Sequence, residues 1–321
     1  MFQSIAVLIA GLALILLGAE TMVKGASGIA RKLGISEFVI GLTIVAIGTS
    51  APEMVVSIVG AAEGNSDVSA GNVMGSNIFN GLIILGVMAI LKPVSITPTN
   101  KTFDIPWYAC FTLAVFLVGK ANTLFGIGSE DILSRPTGIL MLIAFCGYIW
   151  LTFRKSGKIQ DEDSPVVPDG GKMWLYILML LFGIVSLIFG GRIFVDSAVD
   201  IAHMAGLSDK FIAITVLALG TSLPEFATSI IATIQGKSQL ALGNVLGSNI
   251  FNIIMVLGCS AVISPVHMTN ITLIDFGVLL LGAAVLLYNI IGHGIKKITW
   301  RGGLIFVILY AAYMVYLFNN L

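Results

Sequence analysis

The sequence predicts an all-α integral membrane protein with ten transmembrane helices, arranged as two inverted repeats of five helices. Three observations lead to this fold class. Hydrophobic residues make up 57% of the 321 residues and charged residues only 11%, whereas about a quarter of the residues in soluble domains are charged. The apolar residues are gathered into long runs. The first half of the chain also recurs in the second half.

Ten windows of about 20 predominantly apolar residues are long enough to cross a bilayer. They cover residues 3–24, 37–62, 68–91, 104–120, 132–153, 173–198, 210–234, 239–263, 271–292 and 302–319. The first window resembles a secretory signal only superficially, because no basic region precedes Ser4 and the apolar run continues through Val23. We therefore expect this window to form a transmembrane helix.

One stretch between these windows, from Arg154 to Lys172, is clearly aqueous. It contains an acidic run at 161–163 and two helix-breaking prolines, Pro165 and Pro168. We therefore expect residues 1–153 to form the first five-helix repeat, residues 154–172 to form a linker, and residues 173–321 to form the second repeat.

The two halves are copies of one another, displaced by 172 positions. The segment from Gly34 to Gly86 aligns without a gap on Gly206 to Gly258, and about half of its positions are identical. Because each half holds an odd number of spans, the second half must enter the membrane from the opposite side. Inverted repeats are typical of secondary transporters, whose substrates bind near the middle of the bilayer where interrupted helices meet.

The positions of the basic residues agree with this count of helices. If the N-terminus is outside, only four of the 17 Lys and Arg residues fall on the outer side. These four are Lys120, Arg135, Arg192 and Lys210. An excess of Lys and Arg on the cytoplasmic side is usual in membrane proteins. We therefore expect a plasma-membrane protein with both termini outside and the 154–172 linker in the cytoplasm.

The first duplicated motif is Gly48-Thr-Ser-Ala-Pro-Glu53, which recurs as Gly220-Thr-Ser-Leu-Pro-Glu225. A carboxylate inside an apolar span is costly unless it faces a cavity or a partner, so both glutamates are candidate functional residues. The proline cannot donate to the carbonyl four residues before it and opens that turn of the helix. Carbonyl oxygens are then exposed beside the Thr49 and Ser50 hydroxyls. Hard oxygen ligands of this kind suit Ca2+ or Na+.

The second duplicated motif follows each copy of the first. It reads Gly71-Asn-Val-Met-Gly-Ser-Asn-Ile-Phe-Asn80 and recurs as Gly243-Asn-Val-Leu-Gly-Ser-Asn-Ile-Phe-Asn252. In each copy a serine and an asparagine four residues apart share a helix face, and these pairs are Ser76 with Asn80 and Ser248 with Asn252. The polar faces of both motifs can thus converge. Two simpler interpretations stay open, since the glycines can serve close helix packing and a hydroxyl can bond back to its own helix.

Taken together, the paired G-T-S-x-P-E and G-N-x-x-G-S-N-x-x-N motifs resemble the two alpha-repeats of the cation/Ca2+ antiporter superfamily, specifically its prokaryotic sodium/calcium exchanger branch. The resemblance covers both repeats, and the number of spans extends it to the whole chain. It implies ten transmembrane helices with ion sites between the second, third, seventh and eighth. It also implies that the first and sixth helices slide over the others during transport.

Carried over by motif position, the resemblance implies a specific set of ion ligands. Ca2+ would be bound by Glu53 and Glu225 with the main-chain carbonyls of Thr49 and Thr221. The flanking Na+ sites would use Ser50, Ser76 and the Ala46 carbonyl in one repeat, and Ser222, Ser248 and the Ala218 carbonyl in the other. Asn80 and Asn252 complete the expected set. Some relatives have an aspartate at one of these two positions, so the pair of amides here counts against an extra cation such as K+.

The expected function is secondary active exchange of Na+ for Ca2+, with both ions competing for one site. A Ca2+/H+ antiporter using the same carboxylates is the nearest alternative, although such relatives usually carry a glutamate where this chain has Asn80 and Asn252. A cation channel is a remoter alternative. The absence of a nucleophile–base pair or metalloprotease motif argues against an enzyme.

The expected partners are the transported ions Ca2+ and Na+ and the lipid bilayer. The 17 basic residues balance the 17 acidic ones, which gives no indication of a nucleic-acid partner. We expect no cofactor and no protein partner.

Overall fold

A computed structural model describes residues 2–156, 171–204, 220–291 and 297–320, and these ranges are mostly helical. Helices α1 to α6 cover Phe2–Leu33, Glu37–Thr49, Ala51–Ala62, Ser66–Leu91, Asn100–Gly119 and Ala121–Phe125. Helices α7 to α12 cover Arg135–Ser156, Met173–Met204, Leu223–Ile234, Ser238–Ile263, Leu273–Ile291 and Trp300–Asn320. Strands β1 to β4 are Val94–Ser95, Ile132–Leu133, Val266–His267 and Lys297–Ile298.

Seven of the described helices have the length and apolar character needed to cross a membrane, namely α1, α4, α5, α7, α8, α10 and α12. The pair α2 and α3 passes the same test as one span that is bent by 50°. Helices α9 and α11 are shorter and apolar. The prediction of a mostly helical membrane protein is therefore confirmed.

The observed helices follow the predicted windows, with two clear extensions. Helices α1 and α8 are each 32 residues long and continue past the predicted ends at 24 and 198. The windows cover only the predominantly apolar stretches, but helical hydrogen bonding does not require an apolar side chain, so a helix can continue beyond such a stretch. The start of the 210–234 window, with Ala218, lies outside the described residues, as does most of the 154–172 linker.

The chain divides into two compact units, and each unit draws on both halves of the sequence. The first unit comprises Met1–Pro52 and Thr152–Asn244, and the second comprises Glu53–Leu151 and Val245–Leu321. The expected division at 154–172 describes how the sequence is duplicated, whereas these units describe how the chain packs. Each unit consequently holds parts of both copies of the motifs.

In the first unit, α1 packs against α8 along a face of small residues. A Cβ atom on Gly11 would lie 2.8 Å from the main-chain nitrogen of Phe194, and one on Gly18 would lie 3.0 Å from the carbonyl oxygen of Gly183. Small residues at helix interfaces, which let backbones approach closely, are typical of membrane proteins. The order of these contacts shows that the two helices run antiparallel.

In the second unit, two short antiparallel sheets join the connections between helices. Strand β1 pairs with β4 through Val94 and Ile298, and β2 pairs with β3 through Ile132 and His267. Beside the second sheet, the ammonium of Lys120 lies 3.1 Å from the carboxylate of Asp131, and both side chains are buried. The sheet and the ion pair together hold the loops at this end of the unit.

The Asp131 carboxylate stays charged despite its surroundings. Burial favours the neutral acid, but hydrogen bonds from the Thr123 side chain and main chain, together with the Lys120 ammonium, outweigh burial and lower the pKa of Asp131 to about 2. Lys120 Nζ also donates to the carbonyl oxygen of Met268 at 2.7 Å. The buried charges of the pair are therefore well compensated by hydrogen bonds.

Candidate ion-binding site

In both copies of the first motif, a helix begins directly after the serine. Ser50, with φ −84° and ψ 10°, separates α2 from α3. Ser222, with φ −86° and ψ 5°, stands immediately before α9. Pro52 and Pro224 occupy the first turn of the helix that follows, where a missing N–H breaks no helical hydrogen bond. The proline thus allows a new helix to begin directly after the serine in both copies.

In the first unit, the serine of one motif copy meets the glutamate of the other. Ser50 Oγ donates to Glu225 Oε1 at 2.6 Å, and both residues are fully buried. Thr49 Oγ1 lies 3.3 Å from the carbonyl oxygen of Ala46 and 3.2 Å from Asn244 Oδ1. The Thr49 hydroxyl is therefore engaged within the protein.

In the second unit, Glu53 is fully buried and its Oε1 lies 3.5 Å from Ser76 Oγ. Ser248, Asn80 and Asn252 are fully buried in the same unit. Neither amide nitrogen nor amide oxygen of Asn80 and Asn252 has a hydrogen-bond partner among the described residues. Burying an amide without a partner is costly, so these two side chains are strong candidates for ligands of an ion or of water.

The two asparagines lie in widened turns of their helices. A π-helical segment covers Phe79–Ile84 in α4, and another covers Phe251–Val256 in α10. The N–H of Leu85 bonds to the carbonyl of Asn80, and the N–H of Leu257 bonds to that of Asn252, each five residues earlier. Segments of this kind often occur at functional sites. Their equivalent positions indicate that both repeats preserve the same local distortion.

One pair of supporting residues was missed by the sequence reasoning. In the second unit, Asn72 Nδ2 donates to the carbonyl oxygen of Glu53 at 3.1 Å and to Ser57 Oγ at 3.0 Å. In the first unit, Asn244 Nδ2 makes the same contacts with the carbonyl oxygen of Glu225 at 3.5 Å and with Ser229 Oγ at 3.0 Å. Each asparagine therefore fixes the helix turn that carries a glutamate. An asparagine at the second position of both copies of the second motif was the sequence signal that could have identified this pair.

The remaining predicted ligands lie next to these contacts in the chain. Thr221 is half-buried and Ser222 is fully buried, both directly before α9 in the first unit. Among the residues that the structure describes, no three His, Cys, Asp or Glu side chains lie together. The donors around each glutamate are hydroxyl, amide and carbonyl groups, so the chemistry favours a hard cation over a transition metal.

The chain is similar in sequence to known membrane proteins. The sequence profile described as sodium/calcium exchanger protein matches residues 3–154 and 175–319. The chain is 31% identical to sodium/calcium exchanger MaX1 of Methanosarcina acetivorans over 97% of each chain. It is 34% identical to inner membrane protein YrbG of Escherichia coli K12 over 83% of this chain and 81% of the relative.

The fold is also found among solved structures. The sodium-calcium exchanger NCX_Mj, soaked with zero Na+ and Ca2+, matches with a TM-score of 0.84 and 29% identity over 98% of each chain. The sequence profile and the structural match both extend over nearly the whole chain. The protein therefore belongs to the sodium/calcium exchanger family of membrane-embedded cation/Ca2+ antiporters, which are transporters and not enzymes.

Proposed function

We propose that the protein is a secondary active antiporter that exchanges Na+ for Ca2+ across the plasma membrane through a site built around Glu53 and Glu225. The observation that carries the proposal is the 2.6 Å hydrogen bond between Ser50 Oγ and Glu225 Oε1, both fully buried. It joins the two copies of one motif at a carboxylate, which is costly to keep in an apolar span without a functional reason. Structures of NCX_Mj soaked with Na+ and Ca2+, and with Na+ and Sr2+, support these ions as substrates.

The chain itself supports a common site for the two glutamates. Ser50, which contacts Glu225, precedes Glu53 by three residues. Three residues span at most about 11 Å even when fully extended. In this proposal Ca2+ binds both carboxylates and the carbonyls of Thr49 and Thr221. The Na+ ligands are the Ala46 and Ala218 carbonyls with Ser50, Ser76, Ser222, Ser248, Asn80 and Asn252.

Exchange then follows from competition between the two ions. Two carboxylates about 5 Å apart would repel by about 3 kcal/mol at an effective dielectric of about 20. The pair is therefore stable only when it is protonated or loaded with cations. One Ca2+ or several Na+ use the same oxygens, so binding of one ion excludes the other. If more Na+ charge than Ca2+ charge moves, each net charge is worth about 2.3 kcal/mol per 100 mV, and a negative-inside membrane favours Ca2+ extrusion.

Alternating access in this proposal uses ten transmembrane helices in two inverted repeats, with both termini outside and the 154–172 linker in the cytoplasm. Inverted repeats provide two related conformations of one site, one open to each side. Helices α1 and α8 are the moving pair, and their close backbone packing at Gly18 and Gly183 lets them move as one body.

The ligand assignment is tested by uptake of radioactive Ca2+ into proteoliposomes with an outward Na+ gradient. Glu53→Gln and Glu225→Gln should each abolish uptake, because the remaining carboxylate cannot neutralise Ca2+ alone. Glu63→Gln is the matched control, since Glu63 is exposed near the end of α3, and it should transport normally. Uptake at the normal rate in either Glu53→Gln or Glu225→Gln would reject the shared site.

The coupling ion is tested in the same vesicles with an H+ gradient and no Na+. We expect no Ca2+ accumulation under this condition. Ca2+ accumulation driven by the H+ gradient would show that protons, and not Na+, are the coupling ion. Ca2+ flux that needs no counter-ion and does not saturate would instead indicate a channel.

A further inference from the structure

A small cavity within the second unit is lined by residues of α4, α5, α10 and α11. Its polar residues are Asn77, Tyr108 and Asn249, and the rest of its lining is apolar or glycine. Its free volume of about 10 Å³ is enough for about one water molecule. Asn77 and Asn249 are equivalent residues of the second motif and directly follow Ser76 and Ser248.

The hydrogen bonds of these three side chains leave a specific set of atoms to be satisfied. Asn77 Nδ2 donates to the carbonyl oxygen of Asn249 at 3.0 Å, and Asn249 Nδ2 donates to the Tyr108 hydroxyl at 3.3 Å. The side-chain oxygens of Asn77 and Asn249 are buried and accept no hydrogen bond from any described residue. Tyr108 accepts from Asn249 and keeps its own proton to donate. Two acceptors and one donor therefore remain.

We propose that this cavity binds one water molecule, which donates to the amide oxygens of Asn77 and Asn249 and accepts from the Tyr108 hydroxyl. Water matches this set because it supplies two donors and an acceptor at once, and about three hydrogen bonds are usual for a buried water. A cation matches it poorly. Ca2+ takes about six to eight oxygen ligands, whereas the polar lining offers three oxygens and no negative charge.

The water gives the two equivalent asparagines a common link that they do not make directly through their side chains. On the proposed function, it also fixes the spacing of the neighbouring serines, Ser76 and Ser248. This consequence rests on the proposed function, but the water site itself does not.

The direct test is a crystal structure at a resolution that shows ordered water. One solvent peak within hydrogen-bond distance of Asn77 Oδ1, Asn249 Oδ1 and Tyr108 Oη is expected. An empty cavity would overturn the proposal. A peak with shorter, metal-like distances to five or more oxygens would also overturn it. Neither result depends on whether the protein exchanges Na+ for Ca2+.

A cavity-filling variant provides a second measurement. A Cβ atom on Gly81 would lie 3.5 Å from Asn249 Nδ2 and 3.6 Å from the Tyr108 hydroxyl, which is ordinary contact. Gly81→Ala should therefore displace the water without a clash and lower the melting temperature by a few degrees, because both amide oxygens lose their donor. Gly277→Ala in α11 is the control, since its Cβ would meet no described atom within 4 Å. Equal melting temperatures of the two variants would contradict the water site.

Discussion

At the level of individual residues, two kinds of polar side chain contact each glutamate. Serines approach the carboxylates, as Ser50 does with Glu225. Asparagines hold the main chain behind them, as Asn72 does with the carbonyl of Glu53. The sequence could identify both kinds as unusual, because any polar residue in an apolar span requires a partner. The sequence could not tell a side chain that contacts a carboxylate from one that holds the main chain of the glutamate, since both roles use small polar side chains at helical spacing.

The first prediction concerns the effect of replacing Ser50 on the Na+ dependence of exchange. Ser50→Ala removes a proposed Na+ ligand and the hydrogen bond that orients the Glu225 carboxylate. A hydrogen bond to a charged group contributes about 1.5 kcal/mol or more, so the Na+ concentration for half-maximal Ca2+ exchange should rise about tenfold. Ser264→Ala, at the half-buried end of α10, is the control and should behave as wild type. An unchanged Na+ dependence of Ser50→Ala would contradict the assignment.

At the level of elements, the repeated glycines of α1 and α8 place two long helices in backbone contact. The sequence showed that Gly11 and Gly18 recur as Gly183 and Gly190, but a repeat does not reveal which copies face each other. The structure pairs Gly18 with Gly183 and Gly11 with Gly190. Antiparallel packing explains this crossed pairing of the glycines, because the earlier residues of one helix then meet the later residues of the other.

A prediction for these helices compares two glycines of α8. A Cβ on Gly183 would lie 2.6 Å from the main-chain nitrogen of Met22, whereas a Cβ on Gly191 would meet no described atom within 4 Å. Gly183→Ala should lower the free energy of unfolding by about 1–3 kcal/mol and slow transport, because the helices must separate. Gly191→Ala should change neither. Melting temperatures in detergent and Ca2+ uptake check this, and a wild-type result for Gly183→Ala would refute the packing argument.

The loop ion pair leads to a prediction about acid stability. Hydrogen bonds and Lys120 hold the pKa of Asp131 at about 2, below its ordinary value of 3.8. The unfolded state therefore binds more protons between these values, so the stabilisation is complete above about pH 4 and is lost as the pH falls toward 2.

Thermal unfolding of wild type and Asp131→Asn between pH 6 and pH 2 measures this contribution. Asp131→Asn should be less stable than wild type at pH 6, and the difference should shrink as the pH approaches 2. A difference that stays constant over this range would show that the carboxylate charge is not what stabilises the loops.

At the level of the whole molecule, the duplicated halves are interleaved in the two compact units. The first unit combines residues 1–52 with residues 152–244, and the second combines the remainder. The distribution of basic residues predicts which side of the membrane each loop faces. Lys120, one of the few basic residues expected outside, forms a buried ion pair with Asp131.

The predicted orientation can be measured by cysteine labelling. In a background with Cys110, Cys146 and Cys259 replaced by serine, Ser129→Cys and Lys32→Cys each introduce one thiol at an exposed position. An impermeant maleimide added to intact cells should label Ser129→Cys, and it should label Lys32→Cys only after the membrane is opened. The reverse pattern would place the termini in the cytoplasm.

The sequence by itself determined the membrane-embedded helical class and the approximate span limits, and it singled out Glu53 and Glu225 as candidate functional residues. These features depend on local composition, because a long apolar run partitions into the bilayer and a charge within that run is costly whatever the tertiary fold. Only the tertiary structure decided that Ser50 meets Glu225, that Asn72 and Asn244 brace the glutamate turns, and that Asn77, Asn249 and Tyr108 line one cavity. Such contacts join residues as many as 175 positions apart. They depend on how helices pack in three dimensions, and no local pattern encodes that packing.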